Sequence, residues 1–249
     1  MSILKKFTFC IMVMFFAASC TTITSETKRI VVAHRGGASL GPENALSTIN
    51  KGIAVGSDMI EVDVHMTIDS QLVVCHDQTV NRTTNGRGRI ENMTLSDIRS
   101  LCLVGSDETM PTLEEVLLAI KGRCLLLLEI KKRRDQYVGI ERKIVEMLEA
   151  YEMTDQVIIQ SFNKYVLEEI YKLNPELRIE LLTYFPPRHP ERYRHITSFN
   201  VCHYFVTNRF VNRVHKLGRE VKIWTVDHEC RSTRLPIDGV ITNNPEVFL

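Results

Sequence analysis

This chain of 249 residues has no surplus of charge, no paired-cysteine motif and no apolar run long enough to cross a bilayer. Its 31 basic and 30 acidic residues leave a formal charge of +1. That balance gives no electrostatic footprint for a polyanion, so no nucleic-acid partner is expected. The seven cysteines are odd in number and contain no C-x-x-C. A zinc site and a disulfide framework are therefore not expected in a chain of this size. Cys75, Cys124 and Cys202 sit in apolar runs, as buried thiols do. No linker-like shift in composition divides the chain, which argues against two domains.

The N-terminus reads as an export signal. Lys5 and Lys6 precede the apolar run Phe7–Ala18, which is too short to span a membrane. The run ends Ala17-Ala18-Ser19-Cys20. Small residues directly before a cysteine resemble the lipobox of bacterial lipoproteins, although that pattern usually has Leu at the place of Ala17. On this reading residues 1–19 are a signal peptide, Cys20 carries the lipid, and residues 20–29 form a polar tether. The plainer alternative is an ordinary signal cut near Ser19. Removing residues 1–19, which hold Lys5 and Lys6 and no acid, leaves 29 basic against 30 acidic residues. Lipid attachment would place the protein at the cell envelope, held to a membrane.

From residue 30 onward apolar patterns alternate between strand and helix. Short β-branched or apolar runs lie near residues 31, 61, 127, 159, 181, 203, 223 and 240, the sixth of them read as Asn200–Val206. Helical spacing marks Asn44–Val55, a helix opened by the Thr112/Glu115 capping box, one from Tyr137 to Tyr151, Tyr165–Leu173 and Arg209–Leu217. Only eight residues separate Val64 from Val73, too few for a parallel crossover. Leu72–Cys75 must return as a hairpin. Eight alternating units in about 220 residues predict an α/β, TIM-type (β/α)8 barrel with a short insertion and that hairpin return strand. An open doubly wound sheet would need a glycine-rich phosphate turn after the first strand, and His34-Arg35-Gly36-Gly37 is not one.

The chemistry concentrates in residues 34–77. Glu61 and Asp63 alternate on one strand, so both side chains leave the same face. Two neighbouring buried carboxylates repel unless something positive lies between them. An oxygen-only ligand set suits a hard divalent cation. His34 and His76 bracket the pair, and Glu129 and Lys131 alternate at the end of a later strand. In a barrel of this type the C-terminal ends of the strands carry the active site. His34, Arg35, Glu61, Asp63, Glu129, Lys131, Phe162 and Trp224 all fall near such ends. A plain ion network of Glu61 and Asp63 with Arg35 and Lys131 is the structural alternative. The Asn81–Gly88 loop reads as a turn, and the other six histidines as surface or packing residues.

At these residues the chain resembles the glycerophosphodiester phosphodiesterase family. The matching pieces are A-H-R-G (Ala33–Gly36), P-E-N-A (Pro42–Ala45), E-V-D-V (Glu61–Val64), V-V-C-H-D (Val73–Asp77), R-T-T-N-G-R-G (Arg82–Gly88), P-T-L-E-E-V-L (Pro111–Leu117), L-E-I-K (Leu128–Lys131), Ser161–Phe162, W-T-V (Trp224–Val226) and D-G-V-I-T (Asp238–Thr242). They cover residues 30–249 in the family's order. The resemblance implies metal-dependent hydrolysis of glycerophosphodiesters to sn-glycerol 3-phosphate and an alcohol. It implies His34 and His76 as the acid/base pair, and Glu61, Asp63 and Glu129 as ligands of Ca²⁺ or Mg²⁺. It places Arg35 and Lys131 near the phosphate and Glu43 at the site. Phe162 and Trp224 would line the substrate pocket. Departures fall at Ala45, Asp227 and Asn243, where the family often has Thr, Asn and an acid, and none of these is expected to touch the catalytic set. Two alternatives remain. One is a phospholipase-like enzyme on intact lipids, which a long apolar rim at the mouth would favour and which the sequence does not display. The other is a non-catalytic lipoprotein that binds phosphodiesters, which loss of a histidine or an acid would have favoured.

Overall fold

Among the described residues nine short runs of β-branched and apolar residues form strands, and their alternation decides what faces the inside of the barrel. The computed structural model describes residues 29–133 and 136–249. The expected signal at 1–19, the Cys20 anchor and all of the tether but Arg29 lie outside the described residues. The strands are β1 (Ile30–Ala33), β2 (Met59–Met66), β3 (Leu72–Val74), β4 (Leu125–Ile130), β5 (Val157–Ser161), β6 (Arg178–Thr183), β7 (Ile196–Cys202), β8 (Glu220–Trp224) and β9 (Gly239–Thr242). All neighbours run parallel in the order β1-β9-β8-β7-β6-β5-β4-β2, and β1 closes on β2 through Val32↔Met59 and Ala33↔Ile60. The result is a closed eight-stranded parallel barrel. β3 pairs antiparallel with the far end of β2, from Val64↔Val74 to Met66↔Leu72, as the eight-residue spacing requires.

The helices are α1 (Leu46–Ala54), α2 (Leu95–Arg99), α3 (Leu113–Ile120), α4 (Ile140–Ala150), α5 (Lys164–Leu173) and α6 (Asn208–His215). Their buried stripes meet the outward-facing strand residues, for example Ile60, Val62, Leu126, Leu128 and Ile159, in the main core. Thr112 opens α3 with the expected reciprocal capping box to Glu115. The inward positions hold a small apolar group, Val32, Met59, Leu127, Ile158 and Ile241. Above and beside it lie polar side chains, because the inward face of β2, β5, β6, β7 and β8 carries Glu61, Asp63, Gln160, Glu180, Asn200 and Lys222, all buried. The excursion 77–110 covers a separate small core of Val73, Cys75, Val80, Ile90, Ile98, Leu103 and Met110. Among the described residues no helix is long and apolar enough to cross a membrane.

Three expected boundaries move. β7 spans Ile196–Cys202 rather than Asn200–Val206, because Tyr204 and Phe205 are exposed rim residues that only resemble a strand in composition. α4 begins at Ile140, not Tyr137. Tyr137 adopts a left-handed φ of 53° and packs its ring edge-on against His65. α1 begins at Leu46, leaving Asn44 in a left-handed turn (φ 63°) where its amide serves the site.

Candidate active site

The turn after β1 brings His34 and Arg35 to the barrel mouth. Arg35 takes a left-handed conformation (φ 53°, ψ 40°), and its backbone N–H donates to Glu61 Oε2 at 2.8 Å. Gly36 and Gly52 make the turn possible. A Cβ at Gly52 would stand 2.4 Å from the Gly36 carbonyl oxygen, so α1 can lie against the turn only without that atom. Strain of this kind is typical of functional turns.

Glu61, Asp63 and Glu129 offer one oxygen each within 4.8 Å of one another, and all three are buried. Burial and the neighbouring acids Asp63 and Glu129 hold Glu61 well above the usual carboxylate range. Burial raises Glu129 as well, against the pull of Lys131. Asp63 goes the other way. Burial opposes its ionisation, but the Lys131 and Arg35 charges hold it ionised. Lys131 Nζ lies 3.0 Å from Asp63 Oδ1 and 2.8 Å from Glu129 Oε1. Asp63 Oδ1 nevertheless lacks a well-aligned hydrogen bond, as does buried Asn44 Oδ1. Asn44 Nδ2 donates to Asp63 Oδ2 at 3.1 Å, and Gln160 Nε2 donates to Glu61 Oε1 at 3.2 Å. Three acids that cannot all be charged at once, with carboxylate oxygen to spare, fit a hard cation. The cluster could hold one.

The two imidazoles are oriented in parallel ways. His34 Nδ1 meets Asn243 Oδ1 at 2.7 Å, and the Asn243 amide is itself fixed by Nδ2 donating to Asp227 Oδ2 at 2.9 Å. With Nδ1–H donating, His34 Nε2 is left 4.0 Å from Glu61 Oε2. His76 Nδ1 meets Asp77 Oδ1 at 2.8 Å. His65 contacts the His76 carbonyl through Nε2 and Tyr137 Oη through Nδ1. Burial and the Arg35 charge push His34 down to about 4, and burial lowers His76 too, so the unliganded site favours the neutral form of each ring. One sequence expectation is corrected here. Asn243 does touch the catalytic set, because the turn after β9 closes against His34, whereas Asp227 reaches it only through Asn243.

Arg35 Nη1 donates to Glu43 at 3.1 and 3.2 Å. Glu43 in turn receives two bonds from Arg82, which also donates twice to Asp77. Arg82, Asp77, Asn44, Gln160, Asn243 and Asp227 are residues that the strand-end pattern did not reveal. The motif matches at Asn44, Asp77 and Arg82 were the available signals, and the last was read as a turn.

Opposite the charges, Phe162 stacks on Tyr184 (5.2 Å, 25°), and both meet Trp224 edge-on at 5.6 and 5.1 Å. Trp224 Nε1 donates to the Asn200 carbonyl at 2.8 Å. His34, Arg35, Glu61, His76, Glu129, Lys131, Gln160, Phe162, Tyr184 and Trp224 enclose a cavity of about 100 Å³. That is the room of about three waters. It opens on a cleft of about 1430 Å³ that shares His76, Glu129, Lys131, Phe162 and Tyr184. All five expected catalytic and metal residues but Asp63 line the cavity wall, and Asp63 lies behind Lys131. The rim that the sequence does not display exists in space: exposed aromatics from separate strand ends gather at the mouth.

The model of the glycerophosphoryl diester phosphodiesterase family matches residues 34–247. A glycerophosphodiester phosphodiesterase of Caldanaerobacter subterraneus subsp. tengcongensis is 35% identical over 235 residues, covering 89% of this chain and 97% of its own. One from Bacillus altitudinis is 30% identical over 232 residues, covering 87% and 95%. Among solved structures, an Oleispira antarctica phosphodiesterase in complex with the product sn-glycerol-3-phosphate superposes with a TM-score of 0.80 at 27% identity, covering 87% of this chain and 93% of that one.

Proposed function

This chain belongs to the glycerophosphoryl diester phosphodiesterase family and hydrolyses glycerophosphodiesters to sn-glycerol 3-phosphate and an alcohol, and we propose that His34 and His76 carry that step beside a divalent cation. Glu61, Asp63 and Glu129 would hold the ion, Ca²⁺ or Mg²⁺. Bound there, it would neutralise charge that accumulates on the phosphorus oxygens.

The protein's own groups do the rest. One imidazole accepts the proton of the attacking oxygen at Nε2. The other donates a proton from Nε2 to the departing alkoxide, so the pair ends with its protons exchanged and the net charge unchanged. Neutral imidazole suits the first role; the second needs imidazolium, a form that the negative charge of a bound phosphodiester favours, and each transfer contributes on the order of 10²–10⁴-fold. With Nδ1 of each ring engaged by Asn243 or Asp77, Nε2 is the atom left to accept or to donate the proton. Lys131 and Arg35 supply charge-assisted donors for the phosphate. Phe162, Tyr184 and Trp224 form an apolar wall against which the glycerol carbons pack.

The observation that carries the reading is the pairing of two Nδ1-anchored imidazoles with three buried carboxylates around one cavity. The test is release of glycerol 3-phosphate from glycerophosphocholine with and without chelator, and in His34→Ala and His76→Ala. Chelation and each substitution should abolish turnover while circular dichroism stays native. Full activity in both variants would end the two-histidine account. A second reading, turnover of acyl-bearing diesters, is favoured by the aromatic rim, and lysophosphatidylcholine in the same assay tests it. Export and lipid attachment at Cys20 are proposed from the sequence pattern. Mass spectrometry of the mature N-terminus, with Cys20→Ser as control, decides between that and a plain signal peptide.

A further inference from the structure

Six aromatic side chains are exposed among the described residues: Phe162, Tyr165, Tyr184, Phe185, Tyr204 and Phe205. All six follow the C-terminal ends of β5, β6 and β7, so they stand at one side of the barrel mouth. Phe162 and Tyr184 belong to the pocket wall. Phe185 and Phe205 lie beyond it, 63% and 43% exposed, and pack on each other at 4.4 Å. An exposed cluster of large rings on an otherwise ordinary surface marks an interaction site.

The flanks are basic. Arg188 follows Phe185 by three residues, Arg209 lies in the first turn of α6 four residues past Phe205, and Lys164 opens α5 with Nζ 5.0 Å over the Tyr165 ring. No carboxylate pairs with any of these three among the described residues. Glu191, the nearest acid in the β6–β7 connection, is taken by Arg213 and His189. Rings that are apolar with a polar edge, bordered by unpaired cations, match the headgroup layer of an anionic bilayer. A buried protein partner would instead leave those cations needing acids of its own.

We propose that this aromatic lip with its basic flanks docks on an anionic phospholipid surface and turns the barrel mouth toward the headgroups. The docking itself does not depend on the catalytic reading. Its consequence, delivery of membrane-derived diesters to His34 and His76, rests on the hydrolase function above.

Trp224 is the single tryptophan of the sequence and touches Phe162 and Tyr184 at the lip. Its fluorescence therefore reports the mouth, whatever the N-terminal residues do. The full chain is mixed with vesicles of phosphatidylglycerol or phosphatidylcholine, each doped with a lipid bearing a nitroxide at its headgroup. Quenching should be strong on phosphatidylglycerol and weak on phosphatidylcholine. The double variant Phe185→Ser/Phe205→Ser should lose it. Arg188→Gln/Arg209→Gln should weaken partitioning roughly five-fold per residue. Turnover of soluble glycerophosphocholine should be unchanged in both, which separates a failed lip from a failed active site. Absence of quenching in the wild type, equal quenching on both lipids, or quenching that survives both double variants overturns the proposal. A dimer that Phe185→Ser/Phe205→Ser dissolves, without quenching, assigns the lip to a second copy and overturns it equally.

Discussion

On one side of the barrel mouth, the residues that end or follow β1 to β4 are His34, Arg35, Asp63, His76, Glu129 and Lys131. On the other, those that end or follow β5, β6 and β8 are Phe162, Tyr184 and Trp224. The backbone plan is the same, and the chemistry is opposite. In the first half almost every polar group is held by a second one, as His34 is by Asn243 and His76 by Asp77. In the second half rings hold rings and remain open to solvent. On the proposed function the contrast separates the work: the charged half would handle protons and phosphate, and the aromatic half would grip what is attached to them.

The halves share a floor. A chain of hydrogen bonds starts at half-exposed Glu220 and runs inward through Lys222, Glu180 and Asn200 to Gln160 over links of 2.7–2.9 Å, then ends on Glu61 at 3.2 Å. The largest expected effect on stability comes from cutting it. Lys222→Met leaves the buried Glu180 carboxyl without its ion-pair partner, a loss of about 3–5 kcal/mol. Lys222→Met combined with Glu180→Leu should recover most of it. Urea melts of the three proteins check this, and a double variant no better than the single would mean the floor is not held by that pair.

The next effect falls on the seam between the halves. Gln160 lies on the aromatic half's strand β5 but donates to Glu61 in the charged half. Asn200 Nδ2 donates to Gln160 Oε1 at 2.9 Å, which fixes which end of the amide reaches Glu61. Outer partners of this kind are worth about 10–100-fold in metal affinity. Gln160→Leu should therefore shift the Mg²⁺ or Ca²⁺ concentration for half-maximal turnover upward by that factor, with kcat at saturating ion largely kept. A loss of kcat with an unchanged metal titration would count against Gln160 as a positioning residue.

Trp224→Ala probes the other half. It should raise KM roughly ten-fold and leave kcat within about three-fold, since the ring touches no proton that moves. A fall in kcat as large as that of a histidine variant would erase the division between the halves.

The sequence displays these two halves unequally. His34, Glu61, His76, Glu129 and Lys131 were legible because charged residues at strand ends break an apolar pattern, and the fold follows from the count of alternating runs. In the aromatic half only Phe162 and Trp224 were legible at strand ends; Tyr184, Phe185 and Phe205 are ordinary apolar residues until closure brings β5, β6 and β7 side by side. Tyr204 and Phe205 even extended the apparent β7 by four residues. Gln160, Asn243 and Asp227 were hidden for the same reason: |i−j| of 99 and 209 separates Gln160 from Glu61 and Asn243 from His34, and only barrel closure joins them.

The smallest effect tests the outer edge of the charged half. Arg82 grips Glu43 and Asp77 together. Its hydrogen bonds hold Asp77 well below the usual carboxylate range. Glu43 is raised by burial, but Arg82 and Arg35 outweigh that and lower it. Carboxyls held low bind fewer protons folded than unfolded, so they stabilise the fold above the ordinary carboxyl range and lose that effect as pH falls through and below about 4. Arg82 and Asp77 are partly exposed and solvent screens them, so Arg82→Ala should lower stability by less than about 1 kcal/mol at pH 7. The gap between wild type and variant in urea melts should narrow as the pH drops toward 3. A gap that widens on acidification would mean that Arg82 acts through something other than these two acids. Turnover should fall at most a few-fold, because Asp77 still receives His76 at 2.8 Å without Arg82 behind it.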